Sequence, residues 1–139
     1  MKLSARSRYG TRMMVDLAQN RAKGPIQLSS IAGREGLSRK YLEQLIIPLK
    51  KAGFIKSIRG PKGGHMLAKP PENISIGAIV EALEDKTGLS ACINNPKLCD
   101  RTGFCPTRNV WEIATKAMFK ELNSITLADI IKKNMVLKD

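Results

Sequence analysis

Residues 28–54 read LSSIAGREGLSRKYLEQLIIPLKKAGF, Leu28 to Phe54. The first part, LSSIAGREG, predicts a short helix that Ser29 or Ser30 can cap, with Gly36 where a left-handed turn is cheap. The second part has Ser38 as an N-cap and an apolar stripe of Tyr41, Leu42, Leu45, Ile46 and Leu49. Helix, glycine-containing turn, helix is the helix-turn-helix layout, whose second helix enters the major groove by its N-terminal residues. Pro48 lacks a backbone donor and is expected to kink or shorten the last turn at Lys50 and Lys51. The first turn, which carries Arg39 and Lys40, is unaffected.

On the N-terminal side, Tyr9, Met13, Met14, Leu17 and Ala18 recur at helical spacing between Ser4 and Asn20, and Gly24-Pro25 ends that helix. On the C-terminal side, the period changes after Gly53: FIKSIR, then GPKGG, then HMLAK. Two short strands around a turn that needs positive φ make a basic hairpin, with Arg59 at its base and Lys62 at its tip. The expected fold is mainly α with a small β-wing, a winged helix-turn-helix followed by a long dimerisation helix. A winged helix-turn-helix region over 1–70 would join a region over 71–139 that holds the cysteine loop (92–105) and the dimerisation helices, one compact domain overall.

Charge supports that reading by where it lies. Residues 1–69 hold 15 Lys/Arg against three Asp/Glu, and residues 70–139 hold nine against nine, so the net +12 falls on the first half. A one-sided basic field suits a polyanion, because neutralised phosphates release condensed counterions. The alternatives are a solubility surface, or a generic three-helix core with a hairpin and no DNA contact. The DNA-facing residues expected are Ser38, Arg39, Lys40, Tyr41, Glu43 and Gln44 on the second helix and Arg59, Lys62, Gly63 and Gly64 on the wing.

The neutral half begins with a rigid Pro70-Pro71 connector and a helix capped by Ser75, SIGAIVEALED. Further on, Val110, Trp111, Ala114, Ala117, Met118, Leu122 and Ile125 line a long helix whose apolar face exceeds what one small domain needs. Packing against its twin in a homodimer, matched to a two-fold operator, is the expected use; closing the monomer core is the alternative. Thr126 to Asp129 has a capping-box pattern for a final helix.

All three cysteines fall in CINNPKLCDRTGFC, Cys92, Cys99 and Cys105, with six and then five residues between them. Three thiols cannot pair off as disulfides, and a closed structural zinc site wants four protein ligands. Three soft thiolates do suffice for an iron-sulfur cluster, 2Fe-2S or 4Fe-4S, with one labile corner. The first residues carry scattered arginines and no unbroken apolar run, so neither a secretory leader nor a membrane span is read there and a cytoplasmic protein is expected. Nucleotide-loop and triad motifs are absent, which argues against an enzyme. A cluster-free regulator sensing oxidants or sulfur status through its thiols, and an iron-sulfur enzyme or carrier, are the rivals.

From MKLSARSRYG through YLEQL, SIRGPKGGHML, the cysteine loop and SITLADI, the chain resembles the family of winged-helix regulators that includes the iron-sulfur cluster regulator IscR and the nitric-oxide sensor NsrR. The resemblance implies an operator-binding dimer whose cysteine loop holds a cluster that controls DNA affinity. It also implies base contacts from Lys40, Glu43 and Gln44 and a minor-groove arginine at Arg59. Gln44 suits adenine, and Glu43 suits the cytosine amino group or, alternatively, is a solvated helix residue paired with a nearby lysine. The first cysteine gap is one residue longer than the commonest family pattern. Arg108 stands where IscR has a histidine ligand, and Arg8 stands where NsrR has a carboxylate. Asp85, Asp100, Asn109 and Glu112 are the oxygen donors nearest the loop, and the fourth ligand stays unassigned. His65, on the wing, is read as a packing or DNA-proximal residue.

Overall fold

The computed structural model describes residues 1–137, with side chains described through Lys132. Helix α1 (Ala5–Gln19) starts at Ser4, whose hydroxyl accepts from the Ser7 amide at 3.2 Å, and ends before Gly24. Its buried face carries Met13, Met14 and Leu17 at 0–1% exposure. That face is the centre of the molecule, with α2 (Leu28–Glu35) and α3 (Arg39–Lys51) on one side and α4 (Ile76–Leu83) and α7 (Leu127–Leu137) on the other. Ile31, Leu42, Leu45 and Leu49 meet it from the first side, and Ile79, Leu83 and Leu127 from the second, so one continuous core links both halves of the chain. Each such fully buried side chain contributes about 1.5–3 kcal/mol.

Two local expectations are corrected. Helix α2 begins one residue after Gln27, which caps it without a side-chain bond; Ser29 and Ser30 lie inside the helix. A backbone carbonyl at Gln27 already accepts from Ser30 and Ile31, which pulls the first turn back past the serines. Pro48 does not shorten α3, which runs on to Lys51. A proline removes one ladder donor only, and Leu49, buried directly after it, holds the last turn onto the core.

The wing pairs β1 (Ile55–Ile58) with β2 (Gly64–Leu67), antiparallel, in the register Ile55 to Leu67 and Ile58 to Gly64. A further backbone pairing comes from outside the hairpin. Ile26 donates to the His65 carbonyl at 2.9 Å and accepts from its amide at 2.8 Å, which ties the wing to the α1–α2 connection.

Close approach explains two glycines. A Cβ on Gly10 of α1 would run into the Leu83 side chain of α4, and a Cβ on Gly64, at φ 149°, would run into the Ile26 backbone. Glu84, just past α4, closes the start of α1: its Oε1 accepts from the Ser4 amide at 2.9 Å and from the Ser7 hydroxyl at 2.6 Å.

A loop carrying α5 (Ala91–Asn94) leads to α6 (Pro106–Asn123). The expected capping box before α7 forms reciprocally: Thr126 N–H donates to Asp129 at 2.9 Å and Asp129 N–H to the Thr126 hydroxyl at 3.2 Å. The stripe on α6 divides. Leu122 and, just past the helix, Ile125 pack on the core, whereas Val110, Trp111 and Met118 are exposed; outside the stripe, Phe119 packs on the core and Ile113 is exposed. No helix among the described residues is long and apolar enough to cross a membrane.

Candidate DNA interface and cysteine loop

Helix α3 is held by its apolar stripe, so its other face is presented to solvent. Ser38 caps it by accepting from the Tyr41 amide at 3.1 Å. Arg39, Lys40, Glu43 and Gln44 are exposed in its first two turns, while Tyr41 is half-buried with its ring edge-on to Tyr9, 6.0 Å between centroids. Glu43 does have an ion-pair partner, though an arginine rather than a lysine: Arg39 Nε lies 3.6 Å away across one turn. Exposed pairs of that spacing contribute about 0.3–0.5 kcal/mol, little enough for either side chain to leave for another partner.

Across a groove of about 430 Å³ from Arg39 and Glu43 stand Gly60, Gly63, Gly64 and His65 of the wing. Arg59 and Lys62 are exposed at the wing, and neither they nor Lys40 form an ion pair among the described residues. Gly63 is buried in the turn, where its amide donates to Gly60 at 2.9 Å and a Cβ would strike the Ile58 carbonyl. Gly63 and Gly64 thus shape the wing through backbone contacts. His65 shares a 2.8 Å hydrogen bond with the Ser57 hydroxyl, and burial, with the charge of Lys50, pushes its imidazole below the usual range. It packs in the wing and also lines the groove that faces α3.

Sequence reasoning missed Ile26 as the wing's anchor. A lone β-branched residue after Gly24-Pro25 was its only signal, too short to read as a strand.

The cysteines sit on the connection from α5 to α6. Cys92, on α5, shares a 3.2 Å hydrogen bond with the Ser90 hydroxyl. Cys99 is exposed, and Cys105 is the N-cap residue of α6. A 3.2 Å hydrogen bond with the Thr107 hydroxyl, with help from the Arg108 backbone, holds the Cys105 thiol below the ordinary cysteine range. Among the described residues no three His, Cys, Asp or Glu side chains are gathered to hold a metal ion. The donor set fits an iron-sulfur cluster in kind, three soft thiols on one exposed connection, and gathering them requires that connection to rearrange.

The oxygen donors near the loop are engaged elsewhere or open to solvent: Asp85 lies 3.6 Å from Arg6, and Glu112 3.4 Å from both Arg108 and Lys116. Asp100 and Asn109 are exposed.

A family model described as Rrf2, iron-dependent transcriptional regulator, matches residues 3–133. This chain belongs to the Rrf2 family. "Protein rrf2" of Nitratidesulfovibrio vulgaris is 46% identical over 132 residues, covering 95% of this chain and 88% of that protein. The solved structure of IscR from T. potens is 43% identical and superposes with a TM-score of 0.79 over 96% of this chain and 88% of its own. CymR of B. subtilis, described as the global cysteine regulator, is 35% identical with a TM-score of 0.78, over 96% and 98%. The Rrf2 assignment makes the protein a winged-helix, DNA-binding transcriptional regulator, a non-enzymatic role, and it favours the DNA-binding reading of the charge placement and the wing over its alternatives.

Proposed function

We propose that this Rrf2 protein binds operator DNA as a homodimer and that an iron-sulfur cluster held by Cys92, Cys99 and Cys105 controls its affinity. The observation that carries the proposal is the position of the cysteines: they occupy the segment that leads into the start of α6, and Cys105 is that helix's N-cap residue. When bound, the cluster would be held by Cys92, Cys99 and Cys105, would tie residues 92–105 together and would supply reactivity toward small oxidants.

The chain's own residues do the rest. Val110, Trp111, Ile113 and Met118 on α6 form the face that pairs with a second copy. Arg39, Lys40, Glu43 and Gln44 read bases in the major groove, with Ser38 and Tyr41 at the helix start, while Arg59 enters the minor groove, Lys62 runs along the backbone, and Gly63 and Gly64 shape the turn that carries them. Two recognition helices must sit about 34 Å apart on one face of the duplex, so any change in the seating of α6 changes affinity.

Anaerobic purification followed by the visible absorption spectrum, with iron and acid-labile sulfide per chain, tests the cluster. A coloured native protein and a colourless Cys92→Ala variant are expected. A native protein that stays colourless and iron-free after reconstitution sinks it.

A second reading has its own support. The lowered Cys105 thiol and the likeness to a cysteine regulator favour a metal-free regulator that senses oxidants or sulfur status through its thiols. Operator affinity that responds to peroxide in iron-free protein would establish it.

A further inference from the structure

Five of this chain's nine arginines are held by carboxylates. Arg6 pairs with Asp85, Arg12 with Glu35, Arg34 with Asp16, Arg39 with Glu43 and Arg108 with Glu112. Arg21, Arg59 and Arg101 have no carboxylate partner among the described residues, and neither does Arg8. It is exposed on the first turns of α1, and its guanidinium lies 5.3 Å from the centre of the Tyr9 ring.

That mode of support leaves a specific capacity. A guanidinium held over an aromatic ring by cation–π attraction spends none of its N–H donors on a hydrogen bond there, so its rigid fork, which matches phosphate in a bidentate manner, stays available. Arg12 lies over the same ring at 5.5 Å, but its Nε and Nη2 are taken by Glu35 at 3.0 and 2.8 Å. Tyr9 is in turn set against Tyr41, the third residue of α3. The free fork of Arg8 is therefore referenced, through two rings, to the helix that enters the major groove.

We propose that Arg8 is a further DNA contact, taking a backbone phosphate that flanks the footprint of α3, with Tyr9 as its positioning residue. The inference rests on the DNA-binding reading above. It assigns α1 a direct part in binding, in addition to its part in the core.

The test measures affinity against salt concentration for the full chain on two duplexes, one of random sequence and one selected from a random library by the wild-type protein. Arg8→Gln is expected to flatten the slope of log affinity against log salt by about one per bound chain. It should weaken both duplexes by a similar factor, about three- to tenfold at low salt, since a phosphate carries no sequence. Arg8→Lys keeps the charge and should keep the slope. Lys116→Gln removes the same charge from α6 and should leave the slope unchanged. A wild-type slope retained by Arg8→Gln, a loss confined to the selected duplex, or an equal loss in Lys116→Gln would each overturn the inference alone. Wild-type protein that binds neither duplex would overturn the DNA-binding reading and this inference with it.

Discussion

The ion pair between α1 and α2 yields an unequal response to removal of its two halves. Arg34 donates from Nε and Nη2 to both oxygens of Asp16 at 2.8 and 2.7 Å. The Asp16 side chain is 3% exposed, whereas that of Arg34 is 38% exposed. Arg34→Ala leaves a carboxylate stranded beneath two helices, and the loss of a buried charge's partner costs about 3 kcal/mol or more. Asp16→Ala leaves a guanidinium that already reaches water, and the expected cost is about 1–2 kcal/mol. The double variant should be more stable than Arg34→Ala alone, because no charge is then stranded. Urea unfolding followed by circular dichroism, at neutral pH and one fixed protein concentration, measures all three. The concentration must be fixed because association shifts apparent stability by mass action. Equal midpoints for the two single variants, or a double variant less stable than Arg34→Ala, would refute this account of the pair.

Three other outcomes follow from named contacts. Gly10→Ala places a methyl against Leu83 and should cost about 1–3 kcal/mol, with part of that loss absent in the Leu83→Ala background; a strictly additive double variant would contradict the close approach. Burial opposes ionisation of Glu84, but hydrogen bonds from Ser7 and Ser4, with Arg6 nearby, outweigh it and hold the carboxyl below the usual value of 4.5. A depressed folded value means stability present above the unfolded range and lost as pH falls through the folded one. The stability gap between wild type and Glu84→Gln should therefore be widest near neutrality and close on acidification, as read by thermal melts across pH. Thr107→Val should raise the Cys105 thiol toward the ordinary range, moving the pH profile of its alkylation rate in the iron-free protein upward; an unmoved profile would show that Thr107 does not set that thiol.

The division between what was legible and what was not follows sequence distance. Capping by Ser38 and Ser75, the Thr126–Asp129 box and the periodic stripes of α1, α3 and α4 are interactions within a few residues, so composition and spacing determined them. The same holds for the basic excess of residues 1–69 and for three thiols on one loop, which already pointed to DNA and to soft-ligand chemistry.

Tertiary structure alone decided the rest. Asp16 meets Arg34 across 18 positions and Ser7 meets Glu84 across 77, and no local pattern encodes which distant carboxylate a helix will bury or accept as a cap. Ile26 became a strand partner only because the wing folds back on it, and α2 started earlier than its serines because the chain entering it is fixed by that same pairing. Arg8 shows the point for function: residues 1–20 declare an amphipathic helix with arginines on its polar face, and all of them look alike there. Only packing, which gives Glu35 to Arg12, Asp85 to Arg6 and an aromatic face to Arg8, makes one of them free to hold something else.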